Sequence, residues 1–134
     1  MEKNYIDKLA WIYLKDKKIL STRSKGKDTY YIPGGKREGQ ETDAQALIRE
    51  IREELSVDII PETIVHYGTF EAQAHGKPEG TVVRMTCYTA DFQGTLQPAA
   101  EIDEYVWLGY EGRAQSSPVD QLIFDDLKAK SLID

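Results

Sequence analysis

Three glutamates, Glu50, Glu53 and Glu54, stand three and four residues apart, with Arg49 immediately before the first. On a helix such residues are neighbours, and Glu53 and Glu54 then fall within about 60° of Glu50 on either side. Like charges so placed repel by a few tenths of a kcal/mol per pair. A hard divalent cation such as Mg²⁺ or Mn²⁺ offsets that repulsion, because it takes carboxylate oxygens while keeping several waters. The same run also suits a plain solvated helix face, since Glu and Arg are good helix formers. The segment in front favours a site. Pro33-Gly34-Gly35 gives a backbone that can approach a ligand closely and offer it carbonyls or amides. Glu41 lies just ahead of the helix, able to reach back toward that glycine turn.

The element that must carry the carboxylates has a clear start. Thr42 and Gln45 have the spacing of a capping box, with Thr42 as N-cap and Gln45 at the third helical position. Ala44, Leu47, Ile48, Ile51 and Leu55 follow at helical intervals, and the helix is expected to end near Leu55 or Ser56. Before it, residues 5–15 and 18–22 predict a hairpin around the turn 16–18, and a polar loop covers 24–28. After it, 64–74 and 81–92 are strand candidates flanking a polar loop, and 105–108 is a further short strand. Ser117-Pro118 predicts a second helix with Ser117 as N-cap, Asp120 in its first turn, and an apolar side of Val119, Leu122, Ile123, Leu127 and Ala129. This order predicts one α/β domain over 1–134, a sandwich with a mixed sheet between helices.

Bulk properties exclude several classes. The 134 residues suffice for one real core, and 40% apolar with 30% charged residues is an ordinary globular balance. The formal charge of -6 is the wrong sign for a duplex nucleic-acid binder, although local cations or a metal can still invert the potential in one cleft. Cys87 is the only cysteine, which excludes an intrachain disulfide, and its apolar neighbours mark it as a small buried hydrophobe. No apolar leader is evident at the N-terminus, and no run approaches the ~20 residues needed to span a bilayer, so a cytoplasmic location is the expectation.

Gly35, Glu41 and the run Arg49-Glu50-Ile51 followed by Glu53-Glu54 and Val57 together resemble the signature box of the Nudix hydrolases, in particular the MutT-like nucleotide pyrophosphohydrolases. The lead-in Tyr31-Ile32-Pro33-Gly34-Gly35-Lys36 and the segment Glu101–Glu104 leading to Trp107 are also similar. One position departs: Ser56 stands where the family has a glycine that helps the chain leave the helix. The resemblance implies a Nudix-like α/β/α sandwich and Mg²⁺-dependent hydrolysis of a phosphoanhydride in a small nucleotide, with Mn²⁺ able to substitute. It implies Glu53 and Glu54 as principal metal ligands and Glu50 as a further ligand or the general base. Arg49 would orient a box glutamate, Glu41 would tie helix to loop beside Gly34, and the Gly35 carbonyl would join the metal shell.

Beyond the box the candidates are fewer. Glu101 and Glu104 are the alternative base or extra ligand, Glu104 being taken into the metal set; the segment also reads as an acidic solvated loop. Tyr31, Phe70, Arg23 and Arg84 are candidates for the substrate, the aromatics by stacking and the arginines by pairing with phosphate. Each is equally at home in a core or on a plain surface. His66 and His75 lack the spacing of a zinc site. The favoured reaction is a nucleoside triphosphate, oxidised or not, going to monophosphate plus pyrophosphate. The alternatives are hydrolysis of a nucleoside diphosphate derivative (sugar nucleotide, CDP-type or ADP-ribose), of a capped RNA end, or nucleotide binding without turnover. The terminal Leu132-Ile133 pair is a candidate dimer contact or a frayed end, which leaves a homodimer open.

Overall fold

The computed structural model describes residues 4–74 and 76–134. Strand β1, Asn4–Ile12, runs through the centre of the molecule. It pairs in parallel with β7, Thr81–Thr89, from Asn4↔Thr81 to Ile12↔Thr89. Its other edge holds the two-residue strand β4, Gly34–Gly35, and β7 pairs antiparallel with β6, Val65–Gln73, giving the mixed order β4-β1-β7-β6. A smaller antiparallel sheet joins β2, Leu14–Lys15, β3, Lys18–Ser24, and β9, Ile102–Leu108. Two short strands, β5, Asp58–Ile59, and β8, Phe92–Gln93, pair beside them.

The centre of β1 reads Leu-Ala-Trp-Ile because both of its faces are covered. Leu9 and Trp11 pack with Leu47, Ile51 and Leu55 of helix α1, Asp43–Leu55. Ala10 and Ile12 pack with Met85, Cys87 and the Ile123, Phe124 and Leu127 side chains of helix α2, Pro118–Ala129. The mixed sheet therefore lies between the helices, as expected. Among the described residues no helix is long and apolar enough to cross a membrane.

Several local expectations change. The opening hairpin exists only as β2–β3, turning through Asp16 and Lys17 at positive φ, while β1 leaves it to join the other sheet. β9 begins at Ile102, three residues before the expected start at Tyr105, which makes Glu104 a strand residue. The Thr42–Gln45 capping box forms as expected, but the buried face of α1 is Ala46, Leu47, Ile51, Glu54 and Leu55, with Ala44 and Ile48 only half-buried. On α2, Asp120 and Phe124 are buried while Leu122 and Ala129 are exposed, and Ser117 at the N-cap makes no capping bond with its hydroxyl. Ile133 is inside the core rather than at a frayed end. The tail is held by Tyr110 N–H donating to the Asp134 carbonyl at 2.6 Å and Asp134 N–H donating to the Lys17 carbonyl at 3.0 Å. Ser56 takes the left-handed conformation, φ 64°, that glycine adopts more easily, and its hydroxyl donates to the Gln97 carbonyl at 3.2 Å.

Candidate active site

The two adjacent glycines are required for different reasons. Gly34, at φ 152°, lies so close to β1 that a Cβ would run into the Leu9 carbonyl oxygen. At Gly35 a Cβ would occupy the place of the Glu50 carboxylate. Removing both side chains brings α1 onto the edge of the sheet, where Gly34 N–H donates to Glu54 Oε1 at 3.2 Å.

Arg49 fixes this junction. Its Nε and Nη2 donate to the two oxygens of Glu41 at 2.8 and 2.9 Å, Nη2 also reaches the Lys36 carbonyl at 3.0 Å, and Nη1 donates to Glu50 Oε1 at 2.9 Å. Glu41 in turn accepts from Glu38 N–H at 2.8 Å, so it ties the helix start to the loop after the glycines. The Arg49 guanidinium and that backbone donor hold the Glu41 carboxyl at about 2, well below its ordinary range. Glu41 is thus a fixed anion that keeps Arg49 in place.

The three helix glutamates do not share one environment. Glu54 lies in the buried face of α1, and burial, against the pull of the Gly34 N–H, pushes its pKa up to about 8. Glu50 has an 18% exposed side chain; burial raises its pKa despite Arg49, and the Glu53 and Glu101 charges add to the rise. Glu53, 56% exposed, lies on the outer flank with only Arg49 Nη1 at 3.5 Å. Glu50 and Glu54 line a cleft of about 330 Å³ together with Gly34, Gly35, Lys36 and Glu101. Glu53 does not line it. Glu104 is elsewhere: opposite Arg23 in the β3–β9 pairing, it accepts from Tyr30 Oη at 2.8 Å and has Arg23 at 3.5 Å. Glu101, just before β9, is the member of that acidic segment that reaches the cleft.

Among the described residues no three carboxylate, histidine or cysteine side chains converge as a ready-made metal cage. The donor set nevertheless fits a hard divalent cation. Glu50 and Glu54 share one cleft, burial and mutual repulsion disfavour charge on both, and the Gly35 backbone lies against Glu50. A cation with oxygen preference relieves all of these, and neither histidine nor cysteine lines the cleft.

Of the four expected substrate residues, only Tyr31 lines this cleft. Arg84 alternates with Met85, so it faces the other side of the sheet, where it pairs with Glu71 at 2.8 Å and stacks on Tyr5 at 4.2 Å. Phe70 pairs with Met85 across β6–β7 and packs on the core. Arg23 is turned to Asp103 at 2.6 Å, whereas its neighbours Thr22 and Ser24 line the cleft. His66 sits exposed against the Tyr88 ring, and His75 lies outside the described residues.

Sequence reasoning missed three residues at the far end. A smaller cavity of about 70 Å³ adjoins the cleft and shares Lys8, Tyr31 and Met85 with it; Ser117 is also on its wall. Beneath lies Asp120, fully buried, whose Oδ2 accepts from Ile32 N–H at 2.9 Å. Burial pushes its pKa up to about 7. Asp120 Oδ1 and Ser117 Oγ are buried near one another, outside good hydrogen-bond geometry but close enough for the Ser117 hydroxyl to pull against the rise in the Asp120 pKa, and neither has another polar partner. A signal was present: Asp120 is three, four and seven residues before Ile123, Phe124 and Leu127, an acid inside an apolar stripe.

A family model for the NUDIX domain matches residues 8–121. The CTP pyrophosphohydrolase of Escherichia coli (strain K12) is 32% identical over 115 residues, covering 82% of this chain and 80% of that protein. The solution structure of the E. coli ORF135 protein is similar at a TM-score of 0.74 and 29% identity, covering 95% of this chain and 91% of that one. The MutT protein from Methanosarcina mazei Go1 has a TM-score of 0.75 at 18% identity, with 97% of each chain covered, a likeness of fold.

Proposed function

Because this chain belongs to the NUDIX domain family, we propose that it hydrolyses nucleoside triphosphates to the monophosphate and pyrophosphate in a Mg²⁺-dependent reaction. The observation that carries this reading is that the two cavities share Lys8, Tyr31 and Met85 as a common wall. The Glu50, Glu54 and Glu101 carboxylates stand at one end, and Ser117, with the buried Asp120 behind it, lies at the other in an apolar setting. A nucleotide laid along them has its phosphates beside Glu50 and Glu54 and its base toward Tyr31, Ser117 and Asp120. The name of the E. coli relative supports a triphosphate substrate and makes CTP the first to test.

Glu50, Glu54 and the Gly35 backbone would hold the cation, with Glu53 able to join only by turning in from the flank. When bound, the cation supplies charge neutralisation on the phosphate oxygens and lowers the pKa of bound water. Arg49 and Glu41 keep Glu50 from swinging out. Glu50 Oε1 is occupied by Arg49, whereas the Glu101 side chain makes no hydrogen bond or ion pair among the described residues. Glu101 is therefore the better placed of the two to take the proton of the attacking water at its carboxylate oxygen. Ser117, on the cavity wall with Asp120 behind it, offers the base a hydroxyl that donates or accepts and so orients it.

The test is a rate comparison with Mg²⁺ across the nucleoside triphosphates, sugar nucleotides, CDP-type compounds and ADP-ribose, assaying pyrophosphate and orthophosphate separately. A triphosphate is expected to be fastest, with pyrophosphate released. A faster diphosphate derivative would move the assignment to that class, and binding without turnover of any compound would leave a nucleotide-binding protein.

A further inference from the structure

Every arginine of the chain is tied to a carboxylate: Arg23 to Asp103, Arg37 to Asp43, Arg49 to Glu41, Arg52 to Asp58, Arg84 to Glu71 and Arg113 to Asp125. None is left to receive a phosphate without first breaking a pair. Lys8 is different. It projects from β1 on the α2 side of the sheet, lines both cavities, and is partly buried. Among the described residues its ammonium has no ion pair and no hydrogen bond. The charges it feels are Glu54 toward the carboxylate end, Asp120 toward the far end, and Lys36 and Lys77, which repel it.

A partly desolvated, unpaired ammonium is a poor structural element, because burial removes water without supplying a partner. It becomes favourable when an anion arrives, and a charge-assisted N–H···O bond to a phosphate oxygen is among the stronger polar contacts available. The position selects which anion. Lys8 stands where the carboxylate cleft meets the far cavity, so a nucleotide lying along both brings its sugar-linked phosphate there. Burial lowers the Lys8 pKa, consistent with an ammonium that lacks a counter-ion.

We propose that Lys8 is a binding residue for the phosphate attached to the ribose, holding the part of the nucleotide that remains as product. This rests on the nucleotide reading above. Lys8 then makes the site favour nucleoside monophosphate over the bare nucleoside independently of any metal, and the contact persists from substrate to product.

The experiment follows binding of the four common nucleoside monophosphates and their nucleosides by NMR titration in EDTA, for wild type, Lys8→Met, Lys8→Gln and Lys8→Arg. Thermal melts establish that each variant is folded. Loss of one charge-assisted bond should weaken monophosphate binding about tenfold in both neutral variants. Nucleoside binding should be unchanged, and Lys8→Arg should keep most of the affinity. Equal weakening of nucleoside and monophosphate would show that Lys8 acts on the base or on packing, and overturn the proposal. Unchanged monophosphate binding in the neutral variants would overturn it as well, while leaving the nucleotide reading intact. If wild type binds no monophosphate or nucleoside at all, the nucleotide reading falls and this inference with it.

Discussion

Replacing Glu54 with Gln should stabilise the metal-free protein at neutral pH while stopping turnover. Glutamine keeps the shape of the side chain and still accepts from Gly34 N–H through Oε1. What it removes is a charge that burial disfavours. The Glu54 pKa stands at about 8 in the folded state against 4.5 as the ordinary value. The raised pKa means the folded state binds the proton more tightly than the unfolded chain. The stabilisation from that proton is complete below the unfolded value and is lost as pH rises from 4.5 toward 8. At pH 7 the gap of about 2.5 pH units above the unfolded value corresponds to about 3 kcal/mol, which local relaxation and water entry reduce to roughly 1–3 kcal/mol. For a domain of this size the variant's Tm should then rise on the order of 5–10 °C at pH 8. The assay is thermal unfolding in EDTA at pH 5 and pH 8. The two proteins should melt closer together at pH 5, and Mg²⁺ should raise wild type more than the variant. A variant less stable than wild type at pH 8, or a difference that does not change with pH, would refute the reasoning.

Other predictions follow from the same geometry. Arg49→Lys cannot span Glu41, Glu50 and the Lys36 carbonyl at once; turnover should fall at least about tenfold through loss of positioning, as initial rates will show. Asp120, with its pKa pushed up to about 7, makes the protein less stable as pH rises from about 4 through 7. Asp120→Asn should flatten that slope in urea unfolding and reorder the preferred bases. Ile133→Ala empties a buried site beside the α2 core and should cost about 2–4 kcal/mol in the same urea assay, although the residue is second from the end of the chain.

Features set by neighbouring residues were legible in the sequence. The capping box at Thr42 and Gln45, the glycine pair and the arginine–glutamate helix all act over a few positions, so spacing alone located them. Features set by distant residues were not. The parallel pairing of β1 with β7 joins residues far apart in sequence, Asn4 with Thr81 through Ile12 with Thr89, and no local signal separates it from a hairpin with β3. Hydrophobic periodicity places the buried stripe of α1 beside the glutamates, but Glu54 lies within it, where the Gly34 N–H gives its carboxylate a partner that helical spacing does not reveal. Asp120, by its spacing a first-turn acid, likewise occupies an apolar position of α2 and has the Ile32 N–H as a partner from a distant segment. Arg84 lies away from the cleft because it shares the partly exposed face of β7 with Glu71 and Tyr5 as neighbours, and its apolar neighbours in the sequence do not say which face opens to the cleft. Of the two candidate acids Glu101 and Glu104, spacing does not say which reaches the cleft; β9 starts three residues earlier than Tyr105, which commits Glu104 to Arg23 and leaves Glu101 at the rim.

The central claim is that the cleft carrying Glu50 and Glu54 hydrolyses a nucleotide phosphoanhydride. Phosphorus-31 NMR of a nucleoside triphosphate incubated with Mg²⁺ and either wild type or the Glu50→Gln, Glu54→Gln double variant tests it most directly. Wild type should convert the three phosphate signals into those of a monophosphate and free pyrophosphate, and the folded double variant should leave them unchanged. Diphosphate plus orthophosphate as products would contradict the bond assignment, and equal turnover by the double variant would contradict the site.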